Sequence, residues 1–191
     1  MMSAQALWTF VSGPAALAVL LATALLAWPA GVRIARRQGC PRLAAALFVV
    51  AVGVIVALTL TPSRTMSGVI EVPPPHYLTQ IDDLLFVWST LTAAPSDAEQ
   101  LANIALYVPV GLLGGFVWRG VARATLFGLA LTVAIETCQY GIIGRAGSLT
   151  DIRNNALGAL IGALLAGAVR AVAGRWPVSA GAPTRRHRRA P

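Results

Sequence analysis

Long apolar stretches alternate with shorter polar segments along the chain. Five apolar blocks stand out, with approximate bounds at Trp8–Trp28, Leu43–Leu60, Leu101–Trp118, Ala124–Ile143 and Asn155–Val172. Each is close to the roughly 20 residues that an α-helix needs to cross the hydrocarbon layer of a membrane. The pattern therefore predicts an all-α, polytopic membrane bundle of about five transmembrane helices.

Composition favours the same class of protein. Hydrophobic residues make up 57% of the chain and charged residues 12%, whereas soluble domains carry about 25% charged residues. A very apolar soluble bundle is the alternative, and the block lengths disfavour it. Residues Met1–Leu7 contain no basic side chain, so the first block is more typical of a retained span than of a signal peptide.

The placement of arginine predicts the orientation of the spans. The chain has a net charge of +8, and its 15 Lys and Arg positions are all arginine. Most lie in the first connector, the third connector or the C-terminal end: Arg33, Arg36, Arg37, Arg42, Arg119, Arg123, Arg170, Arg175, Arg185, Arg186, Arg188 and Arg189. Cytoplasmic segments carry such an excess, so the N-terminus is predicted outside and the C-terminus inside. Because these clusters flank apolar blocks, membrane lipids are the expected partners and nucleic acid is not.

The longest connector, Thr61–Gln100, is then predicted to lie outside. Helical spacing within it predicts a short helix that either lies on the membrane surface or caps the spans, through Ile81, Leu84, Leu85 and Trp88. Ser96–Glu99 is a capping-box pattern before the third block. Thr150 or Asp151 is the expected N-cap of the fifth.

Small residues recur at helical spacing in two of the blocks. Gly111 and Gly115 are four residues apart in the third block, and Gly158 and Gly162 are four apart in the fifth. Such spacing lets helix backbones approach closely in a membrane. These faces are therefore expected to make helix contacts.

Polar residues gather near the outer ends of the third, fourth and fifth blocks. Glu136 is the only acid within a block, and Gln139 shares its helix face. A charged group in hydrocarbon costs a few kcal/mol, so it requires a partner, water or protonation. The candidate ligand-binding set is Asn103, Tyr107, Glu136, Gln139, Arg145, Asp151 and Asn155.

Several interpretations of this set are open. The residues either tie the helices together or form an outward pocket for a polar headgroup, with Arg145 as the anion contact. In a membrane enzyme, Glu136 is the candidate catalytic acid or base. A small transporter or flippase requires a polar path, but the inner halves of these blocks are apolar. No cofactor is expected, and the sequence contains no metal-ligand spacing.

Four motifs resemble those of the VanZ-like family. They are Thr59-Leu60-Thr61-Pro62, the run from Asn103 to Gly111 with Tyr107 and Pro109, Glu136-x-x-Gln139, and the series Arg145, Asp151, Asn155, Gly158 and Gly162. The resemblance covers about Leu43–Val172 and divides the chain into three parts. Residues 1–42 form an extra N-terminal transmembrane helix with an Arg-rich cytoplasmic connector. Residues 43–173 are expected to form a four-helix membrane core, and residues 174–191 are expected to form a basic, disordered cytoplasmic tail.

The resemblance implies a multi-pass protein of the bacterial cytoplasmic membrane that acts in the cell envelope. The family is associated with resistance to the glycopeptide teicoplanin, so a lipid-linked cell-wall precursor is the expected partner. The sequence departs from the family at Ser148, where an acid is frequent. A role that requires two acids at this position is therefore in doubt.

Overall fold

The chain folds into helices with short connections. The computed structural model describes residues 13–60, 76–139 and 147–174. It contains α1 (Pro14–Gln38), α2 (Arg42–Thr59), α3 (His76–Gln80), α4 (Leu84–Thr92), α5 (Ala98–Trp118), α6 (Val121–Gln139) and α7 (Leu149–Gly174). Five of these, α1, α2, α5, α6 and α7, are long and apolar enough to cross a membrane. The described residues form no strand, and the predicted five-span, all-α fold is confirmed.

Some expectations about the helix bounds and the tail concern residues outside the described ranges. These are the start of the first block at Trp8, the end of the fourth block at Ile143, and the basic tail beyond Gly174. The membrane side on which each terminus lies stays a prediction.

Helix α7 lies at the centre of the bundle and contacts α3, α4, α5 and α6. Helix α1 packs mainly on α2, and α2 packs on α5. The rings of Phe48, Trp118 and Phe127 join α2, α5 and α6, with centroid distances of 5.1 to 5.2 Å. Helix α1 is the least buried span and lies at the periphery.

Glycines bring the backbones of α5 and α7 into direct contact. A Cβ atom on Gly162 would overlap the Val108 carbonyl oxygen and lie 2.6 Å from the Leu112 nitrogen. A Cβ on Gly111 would overlap the Ala159 carbonyl group in the same way. The predicted small-residue contact faces are therefore confirmed, and they set the register of α5 against α7.

Two predicted helix starts differ from the structure. Asp97, rather than Ser96, is the N-cap of α5, because its Oδ1 accepts the Gln100 N–H at 2.8 Å. Helix α7 begins at Leu149, so Thr150 and Asp151 lie in its first turn and neither caps it. An acceptor from α6 serves the N–H of Ser148, the residue before α7.

The two ends of the bundle carry opposite charge. At the Arg-rich end, Arg119 donates to the Gly39 carbonyl at 2.8 Å and so links the α1–α2 and α5–α6 connectors. The described charged residues there are Arg33, Arg36, Arg37, Arg42, Arg119, Arg123 and Arg170. The acidic end contains the described acids Asp82, Asp83, Asp97, Glu99, Glu136 and Asp151, together with Arg153. This asymmetry favours placing the Arg-rich end in the cytoplasm.

Thiol labelling with a membrane-impermeant reagent checks this orientation. The free cysteines Cys40 and Cys138 are first replaced by serine, and Asp82→Cys and Gly120→Cys are introduced singly. In intact cells we expect Asp82→Cys to react and Gly120→Cys to react only after permeabilisation, because the Arg-rich end is retained in the cytoplasm. The reverse pattern would overturn the orientation.

Candidate functional site

Two hydrogen bonds join three spans near the acidic end. Asn103 Nδ2 donates to Asp151 Oδ1 at 2.7 Å, which links α5 to α7. One turn deeper, Asn155 Nδ2 donates to Thr132 Oγ1 at 2.9 Å, which links α7 to α6. Asp151 and Asn155 are four residues apart and therefore share one face of α7. We call Asn103, Tyr107, Thr132, Asp151, Asn154 and Asn155 the polar layer.

Glu136 lies next to this layer, at the end of α6, and only 3% of its surface is exposed. Its Oε2 accepts the backbone N–H of Ser148 at 2.9 Å. A carboxylate is favoured at this place because the N-terminal end of a helix carries partial positive charge. Glu136 thus joins the end of α6 to the start of α7.

Gln139 is directed to another helix of the bundle. Its Nε2 donates to the carbonyl oxygen of Thr59 at 3.1 Å. Thr59 is the last residue of α2, and the last carbonyls of a helix lack partners within that helix. Gln139 therefore joins α6 to α2, which separates it from the hydrogen bonds of the polar layer.

The polar layer has buried atoms to which no hydrogen bond is made. The Tyr107 hydroxyl, Asn154 Nδ2 and Asn155 Oδ1 have no partner of hydrogen-bonding geometry among the described residues. The Tyr107 hydroxyl approaches Thr132 but does not meet that geometry. Tyr107 and Asn154 are fully buried, and Asn155 is 5% exposed. Buried polar groups are normally hydrogen-bonded, so these three atoms are the unused hydrogen-bonding capacity of the layer.

The residues of this site lie within a part of the chain that matches a known family. A family model, VanZ/LLP1, matches residues 47–170. The chain belongs to the VanZ/LLP1 family. No curated protein and no solved structure matches the chain. The matched residues contain the whole polar layer, Glu136 and Gln139, whereas α1 precedes them.

Arg145, the predicted anion contact, lies outside the described residues of this VanZ/LLP1 chain. Asn103, Tyr107, Asp151 and Asn155 of the predicted set come together in the polar layer, and Glu136 lies beside it. Thr132 was not in the predicted set. The sequence could have indicated Thr132, because it lies one turn before Glu136 on α6 and residues four apart lie on one helix face.

Arg153 is a second residue that the sequence analysis did not assign to the site. Its guanidinium donates to the carbonyl oxygens of Thr90 and Ala93, to Gln100 Oε1 and to Asn154 Oδ1. These bonds use all five N–H donors of the group, and every acceptor is uncharged. The available signal was an arginine one turn into an apolar span, where a charge requires partners. Arg153 thus attaches the end of α4 to α7.

The connector helices of this VanZ/LLP1 protein cover the acidic end. In α3, the Tyr77 hydroxyl lies 2.8 Å from Thr137 Oγ1, and Gln80 Oε1 accepts the Leu149 N–H at 3.4 Å. Helix α4 has features of both predicted arrangements. Its C-terminal end packs on α7 through the buried Thr90, whereas Leu84, Leu85 and Trp88 are 79%, 82% and 68% exposed. The apolar face of α4 therefore points away from the bundle, towards the surrounding membrane or solvent.

Proposed function

We propose that this VanZ/LLP1-family protein binds the polar headgroup of an envelope lipid, or of a lipid-linked cell-wall precursor, through its polar layer. The supporting observation is the set of three buried polar atoms without a partner: the Tyr107 hydroxyl, Asn154 Nδ2 and Asn155 Oδ1. In this proposal the protein acts in the bacterial cytoplasmic membrane, and the five apolar helices support a membrane location. The association of the family with teicoplanin resistance makes a cell-wall precursor the first ligand to test.

The chemistry of the three atoms supports a hydroxyl-rich ligand such as a sugar. A hydroxyl both donates and accepts, an amide nitrogen donates, and an amide oxygen accepts. An unsatisfied buried polar group costs about 1–3 kcal/mol. A sugar headgroup whose hydroxyls satisfy these atoms recovers this free energy when it binds.

The depth of the layer also supports a headgroup. Asn155 lies six residues into α7, and a helix rises about 1.5 Å per residue, which places it about 9 Å from the helix start. Glu136 and Asp151 lie between Asn155 and the acidic end of the bundle. Polar groups therefore lie between the end of the spans and the unpartnered atoms, and in this proposal a headgroup reaches these buried atoms by entering between α5, α6 and α7.

Tyr107→Phe tests the proposal because it removes one hydroxyl and leaves the ring. We expect the affinity for a lipid-linked cell-wall precursor to fall about tenfold, the equivalent of one lost hydrogen bond. The unfolding temperature should not fall, since the hydroxyl has no partner among the described residues. Native mass spectrometry of the purified full chain, titrated with the precursor, measures the affinity. Teicoplanin susceptibility of cells that express each variant is the second measurement.

Tyr77→Phe is the matched control. It also removes a tyrosine hydroxyl, but that hydroxyl is bonded to Thr137 and lies outside the polar layer. Precursor affinity should therefore be unchanged. Equal affinity of both variants and the unsubstituted chain, with unchanged teicoplanin susceptibility, would contradict the proposal.

A structural role for the polar residues is the second candidate function. The hydrogen bonds of Asn103 to Asp151 and of Gln139 to Thr59 both join different helices, which favours it. A purely structural layer predicts that Asn103→Leu lowers the unfolding temperature and that Tyr107→Phe leaves precursor binding unchanged. Precursor binding by Tyr107→Phe therefore separates the candidates, and Asn103→Leu measures the structural contribution of the layer.

A further inference from the structure

A groove lies on the peripheral helix α1, at the opposite end of the bundle from the polar layer. It has a volume of about 320 Å³ and is lined by Pro29, Val32, Arg33, Arg36 and Arg37. The lining residues recur at intervals of three and four, so they form one face of the helix. Helix α1 precedes the residues that match the VanZ/LLP1 family, and the polar layer does not require this groove.

The three guanidinium groups of the groove have no partner among the residues that the structure describes. Arg33, Arg36 and Arg37 are exposed, and none makes a hydrogen bond or an ion pair with a described residue. Each guanidinium carries five N–H donors in a planar fork that suits phosphate oxygens. The described residues at the Arg-rich end include no acid that could neutralise them.

The end of α1 is stabilised without these arginines. Gly39, in the left-handed conformation at φ 64°, ends the helix and donates its N–H to the Ala35 carbonyl at 2.9 Å. The Gly39 carbonyl in turn accepts from Arg119 at 2.8 Å. Three adjacent cations on the last two turns therefore exceed what the helix end requires, although they suit its dipole.

The neighbouring residues place the groove at the membrane surface. Trp28 directly precedes it and is 57% exposed, and exposed tryptophans of membrane proteins concentrate at the membrane–water interface. Pro29 and Val32 give the groove an apolar side next to the hydrocarbon layer. An occupant must therefore offer a negative group to the arginines and an apolar part to the remaining wall.

We propose that Arg33, Arg36 and Arg37, with Pro29 and Val32, bind the phosphate headgroup of an anionic phospholipid in the leaflet at the Arg-rich end. The phosphate lies among the guanidinium groups, and the acyl chains lie along the apolar surface of α1. A soluble phosphate would offer the same anionic chemistry but no apolar part. The structure thus assigns a lipid-anchoring function to the helix that precedes the family match.

Native mass spectrometry of the full chain in detergent, titrated with phosphatidylglycerol or phosphatidylcholine, tests the proposal. The unsubstituted protein should bind phosphatidylglycerol more tightly than phosphatidylcholine. Arg36→Gln/Arg37→Gln should weaken this binding about tenfold or more, because it removes two of the three positive charges that attract the anionic headgroup. Arg36→Lys/Arg37→Lys should give an intermediate loss, because lysine keeps the charge and lacks the planar fork.

The matched control is Arg42→Gln/Arg123→Gln. It removes two exposed arginines from the same end of the bundle but none from the groove, so phosphatidylglycerol binding should stay within about twofold. An equal loss in both double variants would overturn the proposal, because it would reflect net charge alone. Displacement of phosphatidylglycerol by millimolar inorganic phosphate would overturn the lipid assignment. Unchanged circular dichroism of each variant confirms that the helices are retained.

Discussion

Gly162→Ala is expected to cause a large loss of stability at the centre of the bundle. The added Cβ would overlap the Val108 carbonyl oxygen and lie 2.6 Å from the Leu112 nitrogen. Both obstructing atoms belong to the backbone of α5, so no side chain can rotate away. Overpacking of a core costs about 1–3 kcal/mol and occasionally more, and a backbone obstruction places this variant at the upper end.

The loss should extend to the polar layer. Asn103 and Asp151 meet at 2.7 Å on the same helix pair, so a separation of α5 from α7 lengthens this hydrogen bond. We therefore expect Gly162→Ala to lower both the unfolding temperature and the affinity for the precursor. Thermal unfolding of the purified protein in detergent, followed by circular dichroism, measures the unfolding temperature.

Gly167→Ala is the control on the same helix. The nearest atom to its added Cβ is Val121 Cγ2 at 3.5 Å, an ordinary contact distance. Alanine is favoured over glycine inside a helix by about 0.5–1 kcal/mol, so the unfolding temperature should stay the same or rise. If Gly162→Ala and Gly167→Ala unfold at the same temperature, the close contact of α5 with α7 is wrong.

Replacement of Arg153 by methionine is expected to detach α4 from the bundle and to lower stability by about 3 kcal/mol. Hydrogen bonds to a charged group contribute about 1.5–3 kcal/mol each, and contributions within one network do not add fully. Loss of the guanidinium leaves the carbonyl of Thr90 and the side-chain oxygen of Asn154 without this donor. Both residues are buried, so water replaces the lost donors poorly.

Hydrogen exchange measures the local effect of Arg153→Met. Amides of residues 84–92 should exchange faster in the variant, whereas amides of residues 108–118 in α5 should change little. Arg123→Met, which removes an exposed arginine of α6, is the control and should leave both regions unchanged. Slow exchange of α4 in Arg153→Met would show that other contacts hold this helix.

The sequence alone was sufficient to predict the spans and the glycine contacts. Both depend on local quantities, because hydrocarbon thickness sets the length of a span and the helical period sets which residues share a face. The positions of helix ends were predicted less well. At the start of α5, Ser96 and Asp97 are adjacent potential caps, and the structure selects Asp97.

The partners of the polar residues depended on the tertiary structure. Asn103 and Asp151 are 48 positions apart, and Gln139 and Thr59 are 80 apart, so neither pair has a local signal. Rotation of each helix about its axis decides which donors meet which acceptors. This rotation directs Gln139 to α2 although it was predicted on the same face as Glu136.

The sequence by itself determined five membrane spans, membership of the VanZ/LLP1 family, and a set of polar residues near one end of three spans. Only the tertiary structure decided that Arg153 uses all its donors on neutral oxygens, that the apolar face of α4 points away from the bundle, and that Tyr107 keeps an unpartnered hydroxyl. Apolar length and residue spacing are properties of one helix, whereas these features require the register of helices that are distant in the chain.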